Sequence, residues 1–121
     1  MGKILVIDDD EQISRTLHQV LEMDGHEVLD APNGKEGIKL FEEHGADIII
    51  TDIIMPEKEG LETIEELREY DPDLKIIAIS GGGSFDPRIY LNIAENLGAM
   101  RNLVKPFSRD ELLATVKELL E

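Results

Sequence analysis

Apolar positions recur along this chain in two patterns. Ile4-Leu5-Val6-Ile7, Ile48-Ile49-Ile50-Thr51 and Lys75-Ile76-Ile77-Ala78-Ile79 are near-continuous apolar runs, the signature of strands buried on both faces and so of the middle of a parallel sheet. His26-Glu27-Val28-Leu29-Asp30-Ala31 and Met100 to Val104 have only weak apolar centres and suit sheet edges. Between these runs the period changes to that of a helix: Ile13, Leu17, Val20 and Leu21; Ile38 and Phe41; Leu61, Ile64 and Leu67; Tyr90, Ile93, Ala94 and Leu97; and Leu112, Leu113, Val116, Leu119 and Leu120. Five helices are therefore predicted. Gly25, Gly45 and Gly98 are suitable stops, Asp71-Pro72 ends the third helix, and Asp86-Pro87 opens the fourth. Ser108 and Glu111 form a capping-box pattern for the last.

Strand and helix alternate from end to end, so the expected fold is an α/β doubly wound five-stranded parallel sheet with five helices. Placing the three apolar strands centrally and the two weak ones outside gives the order 2-1-3-4-5, the flavodoxin-like arrangement. Its switch point lies between the first and third strands. Ligands bind outside the carboxyl ends of the strands in such sheets, and the residues delivered there are Asp8 and Asp9, Asp52, Ser80 and Lys105. The chain shows no composition break, repeat or low-complexity linker, so residues 1–121 are expected to form one domain. The sequence reaches Glu121 with no output domain in view, as expected of a stand-alone protein or a fragment.

Composition narrows the partners. Twenty-seven acids against 12 Lys and Arg give a net charge of -15, which repels phosphate backbones; no direct nucleic-acid contact is expected, and partners should be proteins or cations. Much of the charge lies on helix faces such as Glu57 to Glu69 and Glu111 to Glu121, where it keeps a surface solvated. With no Cys or Trp there are no disulfides, thiolate metal sites or cysteine nucleophiles. No apolar run approaches membrane-spanning length, and no secretory signal is recognisable. A cytoplasmic location is expected. His18, His26 and His44 lack metal-ligand spacing and are expected at the surface or at helix ends.

The strand-end acids carry the chemistry. Carboxylates sharing a crevice repel by roughly 4 kcal/mol per pair at about 4 Å and an effective dielectric of about 20, so a cation belongs among them. Oxygen donors without His or Cys, few enough to leave room for water, suit Mg²⁺. Lys105 adds a positive charge and Ser80 a hydroxyl. Together these are the parts for phosphoryl transfer onto the Asp52 carboxylate, and an ionised acid needs no general base. Asp10 and Glu11 read instead as an acidic helix start. Gly81-Gly82-Gly83 lacks the lysine of a phosphate loop and reads as a flexible loop.

Over essentially its whole length the chain resembles the receiver domain of two-component response regulators. Asp8-Asp9 after the first strand, Asp52 followed by Met55-Pro56 and Gly60, Ser80 ending the fourth strand, and Lys105-Pro106-Phe107 after the fifth carry the likeness. It implies that Asp52 accepts a phosphoryl group from a sensor histidine kinase, a phosphotransfer protein or a small phosphodonor. It implies too that Asp9, Asp52 and the backbone carbonyl of Ile54 hold Mg²⁺, that Asp8 acts through water, that Ser80 binds the phosphoryl group and Lys105 pairs with it, and that the Lys105–Pro106 bond is cis. Such a protein is not an enzyme but a phosphoacceptor that assists its own phosphorylation and dephosphorylation. It would signal through a face built from the fourth helix, fifth strand and fifth helix to a downstream protein, as a monomer or weak dimer.

Two positions depart from the family pattern. Asn102 stands where many relatives carry an aromatic, and the loop after Ser80 is glycine-rich, so the segment from Gly81 to Tyr90 is expected to move as a unit. Ile54 offers no side chain to activate water, which implies slow dephosphorylation. Two other functions fit parts of the pattern: an aspartyl-phosphate phosphohydrolase, though Ile54 stands where its second acid would be, and a constitutive binding module that is not phosphorylated.

Overall fold

The computed structural model describes residues 2–53, 60–80, 92, 95–96, 98–105 and 107–121. In chain order these hold β1 (Lys3–Ile7), α1 (Glu11–Met23), β2 (Glu27–Ala31), α2 (Gly34–His44), β3 (Ile48–Asp52), α3 (Gly60–Tyr70), β4 (Lys75–Ser80), β5 (Arg101–Val104) and α4 (Arg109–Leu120). The strands form one parallel sheet in the order β2-β1-β3-β4-β5, the flavodoxin-like order expected from the apolar runs. The segment predicted as a fourth helix, Asp86 to Leu97, lies largely outside the described residues; Asn92, Glu95 and Asn96 within it are helical. The predicted fifth helix is therefore α4 here.

Side chains alternate across each strand, and this divides the core into two layers. Ile4, Val6, Ile48, Ile50, Ile77 and Ile79 pack with Leu17 and Leu21 of α1 and with Leu112, Val116 and Leu119 of α4. Leu5, Ile7, Ile49, Ile76 and Ala78 face Ile38 of α2 and Ile64 and Leu67 of α3. All five residues of β3 are buried, which is why its sequence shows no alternation. β2 and β5 each pair on one side only, and their exposed Glu27, Asp30, Arg101 and Val104 account for the weak apolar signal of both.

The ends of the helices are set locally. Asp10 caps α1 by accepting from the N–H groups of Gln12 and Ile13, as its acidic start implied. Asn33 caps α2 through the Glu36 N–H, and the Ser108–Glu111 capping box is formed in both directions. At the end of α1, Gly25 takes a φ of 93°, and the Gly25 and His26 N–H groups donate to the Glu22 and Leu21 carbonyls at 3.0 and 3.1 Å. This is a Schellman turn.

That turn sets the place of His26, one of the histidines expected at the surface or at helix ends. It folds the residue back over the helix end, where His26 is buried. Its Nδ1 accepts from the Gly2 N–H at 3.1 Å, and its Nε2 lies 3.4 Å from Asp24 Oδ2, so this helix-end ring is buried and ties the start of β1 to the end of α1. His44 ends α2 and is exposed, as expected. His18 is half-buried against β2.

Candidate functional site

Strand register brings the acids together. Ile7 lies opposite Thr51, and Asp52 opposite Ile79, so the residue after β1 and the last residue of β3 leave the sheet side by side. One carboxylate oxygen each from Asp8, Asp9 and Asp52 lies within 4.8 Å of the others. Asp8 and Asp52 are buried, whereas Asp9 is exposed. On the other side, Ser80 pairs with Val104 in register, and the Lys105 N–H donates to the Ser80 carbonyl at 2.8 Å. This aims the lysine back across the strand ends. Its Nζ lies 3.0 Å from Asp52 Oδ2 and 3.4 Å from Asp8 Oδ2.

Asp8 is held at three points. Its N–H donates to the Ala31 carbonyl at 3.1 Å, its Oδ1 accepts from the Asp10 N–H at 2.9 Å, and its Oδ2 faces Lys105. Burial, the strongest influence, raises its pKa above the usual 3.8; the Asp10 N–H and Lys105 act against this and the Asp52 charge adds to it, so the net direction is upward. Lys105 is also raised, above 10.5: burial disfavours its charge, but Asp52 and then Asp8 outweigh burial. An ion pair ordinarily lowers the acid and raises the base. Here the lysine faces two carboxylates, while burial, helped by the Asp52 charge, outweighs the lysine at Asp8, and the three groups are one positive charge short of neutral.

The sign of the Asp8 shift has a consequence for stability. The stabilisation associated with protonated Asp8 is present below 3.8 and lost as the pH rises through its raised value. At neutral pH the ionised carboxylate opposes folding of the metal-free protein. Asp8→Asn should therefore melt higher than wild type without metal at pH 7, and the family resemblance, under which Asp8 acts on Mg²⁺ through water, implies a Mg²⁺ affinity lower by about 10–100-fold. Thermal melts with and without Mg²⁺ measure both effects.

The donor set fits a hard divalent ion. Three carboxylates of one crevice, with no His or Cys among the grouped residues, offer oxygen alone, and the exposed Asp9 leaves one side open to water, as Mg²⁺ prefers. The carbonyl of Ile54 and the Lys105–Pro106 bond fall outside the described residues.

Comparisons with known proteins identify the family. The family model for the response regulator receiver domain matches residues 4–117. The chain belongs to that family. A receiver domain protein from Clostridium thermocellum superposes on it with a TM-score of 0.91 and 32% identity, covering 99% of this chain and 94% of that one. The chemotaxis protein CheY4 of Vibrio cholerae gives a TM-score of 0.88 with 28% identity and 98% coverage of both chains. The transcriptional regulatory protein CpxR of Klebsiella pneumoniae is 34% identical over 120 residues, which are 99% of this chain and 50% of that protein. The receiver domain thus spans about half the length of the curated relatives it matches.

Of the residues singled out in the sequence, the receiver domain brings Asp8, Asp9, Asp52 and Lys105 into contact range, with the Ser80 main chain fixing the lysine. Asn102 does not sit idle: its amide donates to the carboxylate of Glu95, joining β5 to the helical stretch before it. One feature had no sequence signal. His18 of α1 bridges to Asp30 at 2.6 Å and to Glu22 at 3.2 Å. The i,i+4 spacing of His18 and Glu22 is readable, but the reach across to β2 is not. Among the described residues no helix is long and apolar enough to cross a membrane.

Proposed function

We propose that this receiver domain is a phosphorylation-activated switch whose phosphoacceptor is Asp52. The observation that carries the reading is the Lys105 ammonium 3.0 Å from Asp52 Oδ2, beside two further carboxylates able to share a cation with it. A bound Mg²⁺ at Asp8, Asp9 and Asp52, with the Ile54 carbonyl as the resemblance implies, would neutralise charge on the transferring phosphoryl oxygens. The remaining work falls to the chain. An Asp52 carboxylate oxygen attacks phosphorus, the new P–O bond forms as the bond to the donor breaks, and the donor leaves with its electron pair. Lys105, held protonated by two carboxylates, moves from Asp52 onto the phosphoryl oxygens. Ser80, buried at the adjacent strand end, supplies a hydroxyl to the same group.

The donor is a sensor histidine kinase, a phosphotransfer protein or a small acyl phosphate. The output passes to a downstream protein through the face formed by the helix preceding β5, β5 itself and α4, on which Asn102 and Glu95 are already joined. The acidic charge speaks against nucleic-acid contact by these 121 residues. It does not bear on contacts made elsewhere in a longer regulator such as the relatives named above. A phosphohydrolase reading needs a second acid at Ile54 and is the weaker of the two.

Incubation with acetyl phosphate and Mg²⁺ tests the reading. One phosphoryl group should be added per chain, and chelation of the metal should prevent it. No incorporation would overturn it, and repeated turnover of a phosphate ester would favour the hydrolase.

A further inference from the structure

β2 is an edge strand, paired with β1 on one side and with no other strand among the described residues. Its C-terminal end nevertheless carries a duty, because the Ala31 carbonyl receives the Asp8 N–H at 3.1 Å. One residue earlier, Asp30 Oδ2 lies 2.6 Å from His18 Nδ1, and the other ring nitrogen of His18 lies 3.2 Å from Glu22 Oε1. A neutral imidazole has one N–H and one lone pair. With a carboxylate oxygen at each nitrogen, both must donate, so the geometry calls for the imidazolium. Although burial disfavours that charge, Asp30 and Glu22 outweigh it and raise the pKa above 6.5. His18, Asp30 and Ala31 share a groove of about 410 Å³ with Asp8 and Asp9. The charged groups around the ring are Asp30 from β2, Glu11, Arg15 and Glu22 on α1, and Asp8 and Asp9 after β1.

We propose that the His18–Asp30 bridge positions Asp8: by tying the C-terminal end of β2 to α1, it fixes the peptide on which the Asp8 main chain hangs, and with it the acid cluster's grip on a divalent cation. The inference rests on the reading of that cluster as a Mg²⁺ site. His18 is a positioning residue and touches neither the ion nor the reacting atoms.

Two effects of removing His18 have opposite signs, which makes the proposal testable. Taking a positive charge away from the neighbourhood of three carboxylates would by itself tighten Mg²⁺, whereas loosening Asp8 weakens it. Calorimetric titration of Mg²⁺ into the full chain should show His18→Leu weakened roughly threefold to tenfold, less than the 10–100-fold typical when a group bonded directly to a metal ligand is lost. His18→Gln, which keeps one donor for Asp30, should be weakened less. Unchanged or tighter binding by His18→Leu, even with a lowered melting temperature, would overturn the proposal while leaving the metal site intact. Absence of Mg²⁺ binding by wild type would instead overturn the reading beneath it.

Discussion

Asp52→Asn is expected to take up no phosphoryl group under conditions in which wild type takes one. The amide is nearly isosteric, so the buried end of β3 keeps its packing, and its oxygen can still accept from Lys105 Nζ, 3.0 Å away in the wild type. What disappears is the anionic oxygen that attacks phosphorus. Mass spectrometry of both proteins after exposure to acetyl phosphate reads the result directly. Near-normal circular dichroism and melting of the variant would show that loss of labelling is chemical and not a failure to fold. Undiminished labelling would mean that another residue carries the phosphoryl group.

Lys105→Met should strongly destabilise the metal-free protein. The lysine lies between two carboxylates whose side chains are only 1% and 11% exposed, and removing it leaves both charges without their shared counterion. Breaking a buried pair in this way costs about 3 kcal/mol, a large part of a stability of roughly 5–15 kcal/mol. The effect has a built-in control. Saturating Mg²⁺ would neutralise the same oxygens, so the difference from wild type in urea denaturation should shrink when the ion is present. A loss of equal size with and without Mg²⁺ would assign the lysine to packing. Labelling should also slow, because no ammonium remains to receive the phosphoryl oxygens.

The framework of the fold was legible because burial on both faces leaves an unmistakable mark. Ile4 to Ile7, Ile48 to Ile50 and Ile76 to Ile79 are apolar without alternation, and they occupy the three central strands. The edges were legible by contrast, since Glu27 and Asp30 in β2 and Arg101 in β5 face solvent. Once the order was fixed, the meeting of Asp8, Asp9, Asp52 and Lys105 followed from which residues end which strands.

Histidine placement was less legible. Isolated histidines carry no periodic signal, and whether one is buried depends on how a turn folds. Gly25 marked the end of α1, but it did not reveal that the Schellman turn would lay His26 against Gly2. His18 sits on α1, and its partner Asp30 is twelve residues away on an edge strand. Asn102 was noticed for the aromatic side chain it lacks. Its hydrogen bond to Glu95 is a contact between separate elements, and no local pattern announces it.

In the proposed switch Asp52 is the residue phosphorylated, and the neighbouring acids, through a divalent ion, make this possible. The most direct measurement is peptide mapping by mass spectrometry after brief exposure of the whole chain to acetyl phosphate, in parallel with Mg²⁺ and with a chelator. A single phosphoryl group is expected, confined to the peptide that carries Asp52 and dependent on Mg²⁺. A phosphoryl group on a different peptide, or equal labelling in the presence of the chelator, would contradict it.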